Sequence, residues 1–591
     1  MLEPSVLNPR SYDPAEFDET TRRLLRACVE WFEQRGKRLL VESYDTWFAE
    51  FLAFAGELGI FAHCLVPADA AEGADRWDTG RNTAFNEVLA FYGINGWYTW
   101  HVTMLGLAPV WQSRNETARR RTVELLRQGH SAAFALSEKE HGADIYATDL
   151  VLTPTGDGRF SASGSKYYIG NGNVAGIVTV FGRRADIEGP DGYVFFLADS
   201  RHPSYTAVRN VANTHLYVGE IGFDGYPVGP EDILHIGRAA LDVALNTVNI
   251  GKFNLGTAGI GACEHAFHES LNHAHQRMLY GRRVTDLPHI RSIFSAAYLR
   301  LVAMKMFTNR VVDYVKSAHA GDRRYILFTS MSKTKVTTEA EKVVALLWDV
   351  IAAKGFEADT HFNWVARDLP GLPRLEGTVH VNTALMLKFL RHYLLADPAP
   401  YDPVPSRTDA SDDRYLFEQG PAGGLGEVRF HDWRPAFDHF ADVPNVARFR
   451  EQVEGFRELL LTCGPDRRQR EDLDFMLPVG QSFMLVVYGQ LILEHAQHAQ
   501  HAQHAQRAQR AGQSGQAGPD RELLDQIFGL LIRDFADPLT DLHGKPGATD
   551  EQRAHALSCL RAPAHDAERT ARTWRSVEAI AGTYAMRPSP A

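Results

Sequence analysis

Residues 133–144 read AFALSEKEHGAD, and the chain changes character across them. Before this stretch, apolar residues recur at helix spacing. Leu24, Leu25, Cys28, Val29 and Phe32 set one amphipathic run, Trp47 to Phe61 a second, and Thr83 to Tyr92 a third that leads into the aromatic run GWYTWHVTML. After it come short runs rich in β-branched and aromatic residues: RFSASGSKYYIGN, GIVTVFG and GYVFFLAD. Turn signals such as Gly156-Asp157-Gly158 separate them, which predicts the strands of a compact β domain ending near Tyr226. Pro227 to Asp232, PVGPED, leads back into helix, and helical spacing continues from Arg238 to about Leu395.

These textures predict an α+β, mainly α, chain of segregated blocks rather than alternating βαβ units. The expected order is an N-terminal helical domain over 1–130, a middle β domain over 131–237, a C-terminal helical bundle over 238–395 and a helical extension over 396–591. The extension opens on a Pro/Asp/Ser linker, DPAPYDPVPSRTDASDD, and holds a low-complexity linker over 495–520. The latter begins as a His-Ala-Gln repeat with His495, His498, His501 and His504, read as a solvated helix or linker rather than a metal site. One predicted helix, from about Leu241 to Leu271, carries Gly251, Gly256, Gly259 and Gly261. Glycine costs a helix up to about 1 kcal/mol each, so close approach of a ligand or a neighbouring helix must offset it.

Composition narrows the function. A net charge of −11 argues against broad nucleic-acid binding, which needs clustered positive charge. The five cysteines lie far apart with no CxxC pair or metal-ligand spacing, which reads as reduced thiols in a cytoplasmic protein with no metal. The N-terminus lacks a basic n-region followed by an apolar h-region, and no run suggests a membrane span. No GxGxxG follows a strand, so a Rossmann fold has no support.

Three further segments stand beside AFALSEKEHGAD: GSKYYIGNGN over Gly164 to Asn173, RMLYG over Arg277 to Gly281, and KGFEADTHFNWVARDLPGLPRLEGT over Lys354 to Thr378. Together, and in this order, they resemble the acyl-CoA dehydrogenase family over roughly residues 15–395. Ala133 to Asp144 resembles the family's "falTE" motif with its Gly-rich turn. GSKYYIGN is similar to its "GxKxWIT" strand, RMLYG to "RxxFG", and the last segment to "RD…IYEGT".

The resemblance implies a flavoenzyme with FAD and Glu376 as the catalytic base. It places Phe134, Leu136, Ser137, Gly142 and Ala143 beside the cofactor, with Tyr168, Ile169 and Gly170 on the opposing strand. It gives Arg277 and Tyr280 to the cofactor of a neighbouring subunit, Thr378 to the diphosphate and Lys252 to the substrate. Arginine suits a diphosphate because its planar fork donates two hydrogen bonds at once. Family members that carry the base on the glycine-containing helix place it where this chain has Gly251, so Glu376 has no rival by motif. The implied reaction is α,β-dehydrogenation of an acyl-CoA or acyl-carrier thioester. An electron-transfer flavoprotein or another acceptor takes the electrons, and the protein is a homodimer or homotetramer. Alternatives left open are an acyl-CoA oxidase, for which the long extension speaks, and a flavoprotein that does not dehydrogenate.

The sequence departs from the family at the flavin wall. Tyr168 replaces the usual Trp, Gly170 a hydroxyl residue, Ala143 a Ser, Lys252 an Arg and Asp349 a Gln.

Overall fold

The computed structural model describes residues 6–40, 44–71, 75–212, 216–407, 413–509 and 521–588. Six helices come first: α1 (Glu19–Arg35), α2 (Tyr44–Glu57), α3 (Ile60–Leu65), α4 (Thr79–Tyr92), α5 (Ile94–Trp111) and α6 (Glu116–Arg127). The aromatic run GWYTWHVTML lies inside α5, and every residue of that helix is buried. A helix apolar on all sides must be enclosed, and α5 is enclosed between the sheet and the helix α7 introduced below.

Eight strands follow, β1 (Ala132–Ala135), β2 (Val151–Gly156), β3 (Arg159–Gly170), β4 (Ile177–Arg184), β5 (Tyr193–Ala198), β6 (Tyr205–Asn210), β7 (Val218–Val228) and β8 (Ile233–Ile236). Their order across the sheet is β6-β7-β3-β2-β4-β5-β8, and β1 lies parallel to β4 with Ala132 opposite Ile177. The turn read from Gly156-Asp157-Gly158 joins β2 to β3, and all three residues have positive φ there (106°, 54° and 73°). Near its end β3 bulges against β7 at Tyr168, whose φ is 64°. The extra residue breaks the alternation of the strand. Ile169 stays in the core while Tyr168 is 61% exposed.

The bundle consists of α7 (Arg238–Gln276), a short hairpin of β9 (Met278–Leu279) and β10 (Arg282–Arg283), then α8 (Pro288–Lys316), α9 (Tyr325–Met331), α10 (Thr337–Ile351), α11 (His361–Asp368) and α12 (Val379–Leu390). A π-helical turn over Ser332–Val336 links α9 to α10. The glycines of α7 resolve into two uses. A Cβ on Gly256 would lie 2.4 Å from Ser332 Oγ, one on Gly259 3.0 Å from the Ala340 Cβ, and one on Gly261 2.3 Å from the Glu87 carbonyl oxygen. Those three serve helix packing. Gly251 instead faces Leu105, His101 and Glu376.

The extension carries α13 (Arg434–Asp438), α14 (Pro444–Thr462), α15 (Arg467–Glu471), α16 (Leu473–Gln509), α17 (Arg521–Gly544), α18 (Asp550–Ser558) and α19 (Ala567–Glu578). It shares one apolar core with the N-terminal helices and the bundle, while the sheet has a second core of its own. Buried ion pairs fasten it. Arg300 on α8 bonds Glu339 on α10 and Asp534 on α17. Arg310 on α8 donates to Glu494 on α16 at 2.8 Å. The C-terminal segment then returns to α1, where the Tyr584 hydroxyl donates to Glu33 at 2.9 Å.

Two expectations change. Leu473–His501 is one helix long and apolar enough to cross a membrane, but 83% of its apolar window is buried, against α8, α12 and α17. The His-Ala-Gln repeat continues this helix as far as Gln509, and its first histidine is buried rather than solvated. Residues 510–520 of the expected linker, and the His504 side chain, lie outside the described residues. The five cysteines are free thiols.

Candidate active site

The segment PRLEGT crosses from α11 to α12 in a tight turn. Glu376 and Gly377 both have left-handed φ, 51° and 86°. The conformation costs a non-glycine residue on the order of 1 kcal/mol and persists only when neighbours enforce it. Lys333, in the π-helical turn, is the enforcing neighbour: its Nζ donates to the carbonyl oxygens of Pro373 and Gly377, each at 2.5 Å. Asn382 adds a bond from its amide to the Gly377 carbonyl at 3.1 Å. Thr378 then caps α12, its hydroxyl accepting from the Val381 amide. π-turns recur where a helix must present a side chain out of register, and here that side chain is Lys333.

The turn pushes the Glu376 carboxylate inward, leaving it 12% exposed, against α5 and α7. His101 on α5 bonds its Oε1 through Nε2. Oε2 is buried and has no hydrogen-bond partner among the described residues. A buried carboxylate oxygen without a donor is costly, and its presence marks the position for an incoming group. Lys252 on α7 is buried nearby, with Nζ 3.4 Å from Asn249 Oδ1 and 3.3 Å from Ser330 Oγ. Burial pulls its ammonium down to about 8 against the upward pull of Glu376. Lys333 likewise falls to about 8 through burial, again opposed by Glu376. Burial, then the Glu376 charge, raises the Tyr98 phenol.

The sheet reaches this place through α5. A Cβ on Gly170 would lie 2.8 Å from the Tyr98 hydroxyl and 2.8 Å from Val102. A Cβ on Gly251 would lie 2.6 Å from Leu105, 3.2 Å from His101 and 3.3 Å from Glu376 Oε2. One face of one helix thus touches the end of β3 and its next turn touches the carboxylate. The outgoing end of β1 is laced to β3: the Ser137 hydroxyl donates to the Tyr167 carbonyl at 2.7 Å, and the Tyr167 amide donates back to the Ser137 carbonyl at 2.9 Å. Lys166 Nζ donates to the Leu136 carbonyl at 3.0 Å and to Glu138 at 2.7 Å. Phe134 and Leu136 are half-buried, Gly142 and Ala143 are exposed, and the Ile169 side chain is core, so only its backbone can face a ligand.

The residues chosen from sequence therefore separate into three places. Glu376, Lys252 and Gly170 meet around α5, and Phe134, Leu136, Ser137 and Tyr168 stand at the neighbouring ends of β1 and β3. Thr378 is exposed beside Glu376. Arg277 and Tyr280 are elsewhere, on the hairpin after α7, about 40 Å beyond Gly251 at 1.5 Å per residue. Tyr280, at the hairpin tip, is 93% exposed with φ 52°, and Arg277 makes no ion pair among the described residues. Sequence reading missed His101, Tyr98 and Lys333. For His101 and Tyr98 the signal was a titratable residue inside the aromatic run GWYTWHVTML, whereas the polar stretch FTSMSKTKV carried none for Lys333.

Comparison with known proteins bears on the family and the fold. The acyl-CoA dehydrogenase C-terminal domain matches residues 241–390. An acyl-CoA dehydrogenase of Bacillus subtilis (strain 168) is 24% identical over 293 residues, 49% of this chain and 76% of the relative. The short-chain-specific acyl-CoA dehydrogenase of Megasphaera elsdenii is 24% identical over 202 residues, 34% of this chain and 51% of its own length. The crystal structure of a Bacillus anthracis acyl-CoA dehydrogenase complexed with FAD shares the fold at a TM-score of 0.70 and 15% identity, over 96% of this chain and 95% of that one.

Proposed function

Since the chain belongs to the acyl-CoA dehydrogenase family, we propose that it oxidises an acyl thioester between its α and β carbons, with Glu376 removing the α-proton. The observation that carries this is the Glu376 carboxylate, held inward by a strained turn, with one oxygen bonded to His101 and the other unpaired. A base must have a free lone pair within reach of the proton it takes, and Oε2 supplies it. The Glu376 backbone amide has no acceptor among the described residues, and as an N–H beside the base it can receive the thioester oxygen as charge develops there.

The residues present fit FAD. Tyr168, turned out of the sheet at a left-handed bulge, offers an exposed aromatic face beside Phe134 and Leu136. The start of α12, capped by Thr378, offers the amide dipoles that favour a diphosphate. When bound, FAD supplies the acceptor for the β-hydrogen, which leaves as hydride. Lys252 and the α5 side chains then shape the acyl pocket, and Lys333 holds the turn in place. Arg277 and Tyr280 are too far along α7 to serve the cofactor beside their own Glu376, so they are assigned to that of a second copy of the chain.

The extension does not favour an oxidase, because the Bacillus anthracis dehydrogenase shares its fold along nearly the whole chain. Electron-transfer flavoprotein is the proposed acceptor. The test is a panel of acyl-CoA thioesters added anaerobically to the yellow holoprotein. Bleaching of the flavin by at least one, lost in Glu376→Gln with FAD retained, supports the reading. A colourless protein that ignores added FAD sinks it, and rapid reoxidation in air would move the assignment to an oxidase.

A further inference from the structure

Four titratable side chains surround Glu376, and only one of them is hydrogen-bonded to its carboxylate. Lys333 is committed to two backbone carbonyls. Lys252 faces Asn249 and Ser330. Tyr98 faces the end of β3. His101 alone reaches Oε1.

The ring of His101 is fixed on three sides. It stacks on Trp97 with centroids 4.7 Å apart and planes 13° from parallel. Its Nδ1 faces the Asn254 amide nitrogen on α7 at 3.4 Å. The Asn254 side-chain oxygen accepts in turn from the Asn86 amide on α4 at 2.6 Å. All three residues are buried. An amide N–H at Nδ1 can only donate, so Nδ1 must accept and the ring proton must sit on Nε2. A one-way chain results: Asn86 donates to Asn254, Asn254 to His101, and His101 to Glu376.

We infer that His101 is a positioning residue for the base: its Nε2–H holds Oε1 of Glu376 so that Oε2 is the oxygen presented to the substrate's α-proton. The inference rests on the reading of Glu376 given above. The arrangement survives the step it serves. The α C–H bond breaks with its proton passing to Oε2, and its electron pair forms the new carbon–carbon double bond as the β-hydrogen leaves with its own pair to the oxidised flavin. Oε1, now the carbonyl oxygen of a carboxylic acid, still accepts from His101. A donor that needs no rearrangement during reaction is the efficient kind. The bond orients the carboxylate through Oε1 and leaves Oε2 without a partner among the described residues.

The test separates a positioning bond from mere packing. His101→Phe keeps the stack on Trp97 but removes the donor, whereas His101→Gln restores an N–H at the reach of Nε2. If Phe is not tolerated, His101→Met gives the same comparison. With a thioester that bleaches the wild-type holoprotein, Phe should lower the bleaching rate about 10- to 100-fold with little change in KM and in FAD content. Gln should recover it to within about fivefold. A readout without turnover accompanies it: in urea unfolding of the holoprotein, the His101→Phe, Glu376→Gln double-mutant cycle should show coupling of about threefold or more in the equilibrium constant. Bleaching at wild-type rate in Phe, while Glu376→Gln is inert, overturns the role of His101 and leaves Glu376 as the base. Equal loss in Phe and Gln also overturns it, since packing alone is then at stake. Full activity in Glu376→Gln overturns the reading of the base and this inference with it.

Discussion

Three buried histidines make the stability of this protein fall steeply with acid. His265 on α7 and His361 at the start of α11 stack face to face, centroids 3.6 Å apart and planes 7° from parallel. His268 packs one turn further along α7 against Phe91 and Tyr584. Each donates one ring N–H to a carbonyl: His265 to Phe91 at 2.7 Å, His268 to Leu7 at 2.9 Å and His361 to Tyr92 at 3.1 Å. The second nitrogens of His268 and His361 are buried without a partner among the described residues, so a second proton would be stranded. Burial accordingly pulls His268 and His361 down to about 4, and His265 well below its ordinary value.

Because the unfolded chain binds these protons more readily, stability rises with pH through this window and is lost as pH falls from about 6.5 toward 4. With folded values of about 4, His268 and His361 together cost about 4 kcal/mol between pH 7 and pH 5, or about 2 kcal/mol each. His361→Gln keeps the N–H to the Tyr92 carbonyl and cannot titrate. Urea unfolding followed by tryptophan fluorescence at both pH values should therefore show the variant losing about 2 kcal/mol less than wild type. The comparison removes the background from all other titrating groups, including Glu264, which burial raises to about 8 and which acts in the opposite direction. Identical pH dependence in the two proteins would refute the reasoning.

Three further outcomes follow from the packing around the site. Gly170→Thr forces a side chain into Tyr98 and Val102 and should destabilise by about 1–3 kcal/mol in thermal unfolding, with recovery when Tyr98→Ala is added. Lys333→Met leaves the Pro373 carbonyl without its donor and the Gly377 carbonyl with Asn382 alone, about 1–3 kcal/mol for the stranded group, and should cut turnover in the bleaching assay more than it lowers the melting temperature. Arg300→Met removes the two-bond partner of Asp534, leaving it Lys342 at 3.7 Å, while Glu339 keeps Lys335 and Lys342, a loss of about 1–3 kcal/mol. Limited proteolysis should then cut within the extension first.

The block order was legible because each block has its own hydrophobic period, and the turn at Gly156-Asp157-Gly158 because its glycines allow positive φ. The carboxylate was legible from RLEGT because a short motif is local. What surrounds it was not: His101 and Glu376 are 275 residues apart, and no local pattern reports a pairing made by enclosing α5 between a sheet and a helix. The glycines of α7 show the same limit. Their spacing predicted close approach, but only the packed neighbours distinguish Gly251, which faces the carboxylate, from Gly256, Gly259 and Gly261, which face helices. The histidine repeat looked solvated because its composition is polar, yet Glu494 and His495 lie on the face of α16 that the bundle covers.

Gly170 and Tyr98 fit one another at the end of β3. The resemblance leads one to expect a hydroxyl side chain at 170, and its loss alone would leave a gap at the end of β3. The gap is filled from the other side, with the Tyr98 hydroxyl 2.8 Å from where a Cβ on residue 170 would stand. A large side chain on α5 thus occupies the space that a side chain at position 170 would need. Tyr98 brings a phenol near Glu376, the carboxylate that His101 bonds and Lys252 lies near. An acyl pocket walled by these groups is more polar than one lined by aliphatic side chains. A buried donor left unpaired by an aliphatic chain costs binding, whereas a substrate that pairs it gains. Acyl groups carrying a hydrogen-bonding substituent should therefore bleach the flavin at lower concentration than unsubstituted chains of equal length. A preference for plain long chains in the same panel would contradict this reading of Tyr98.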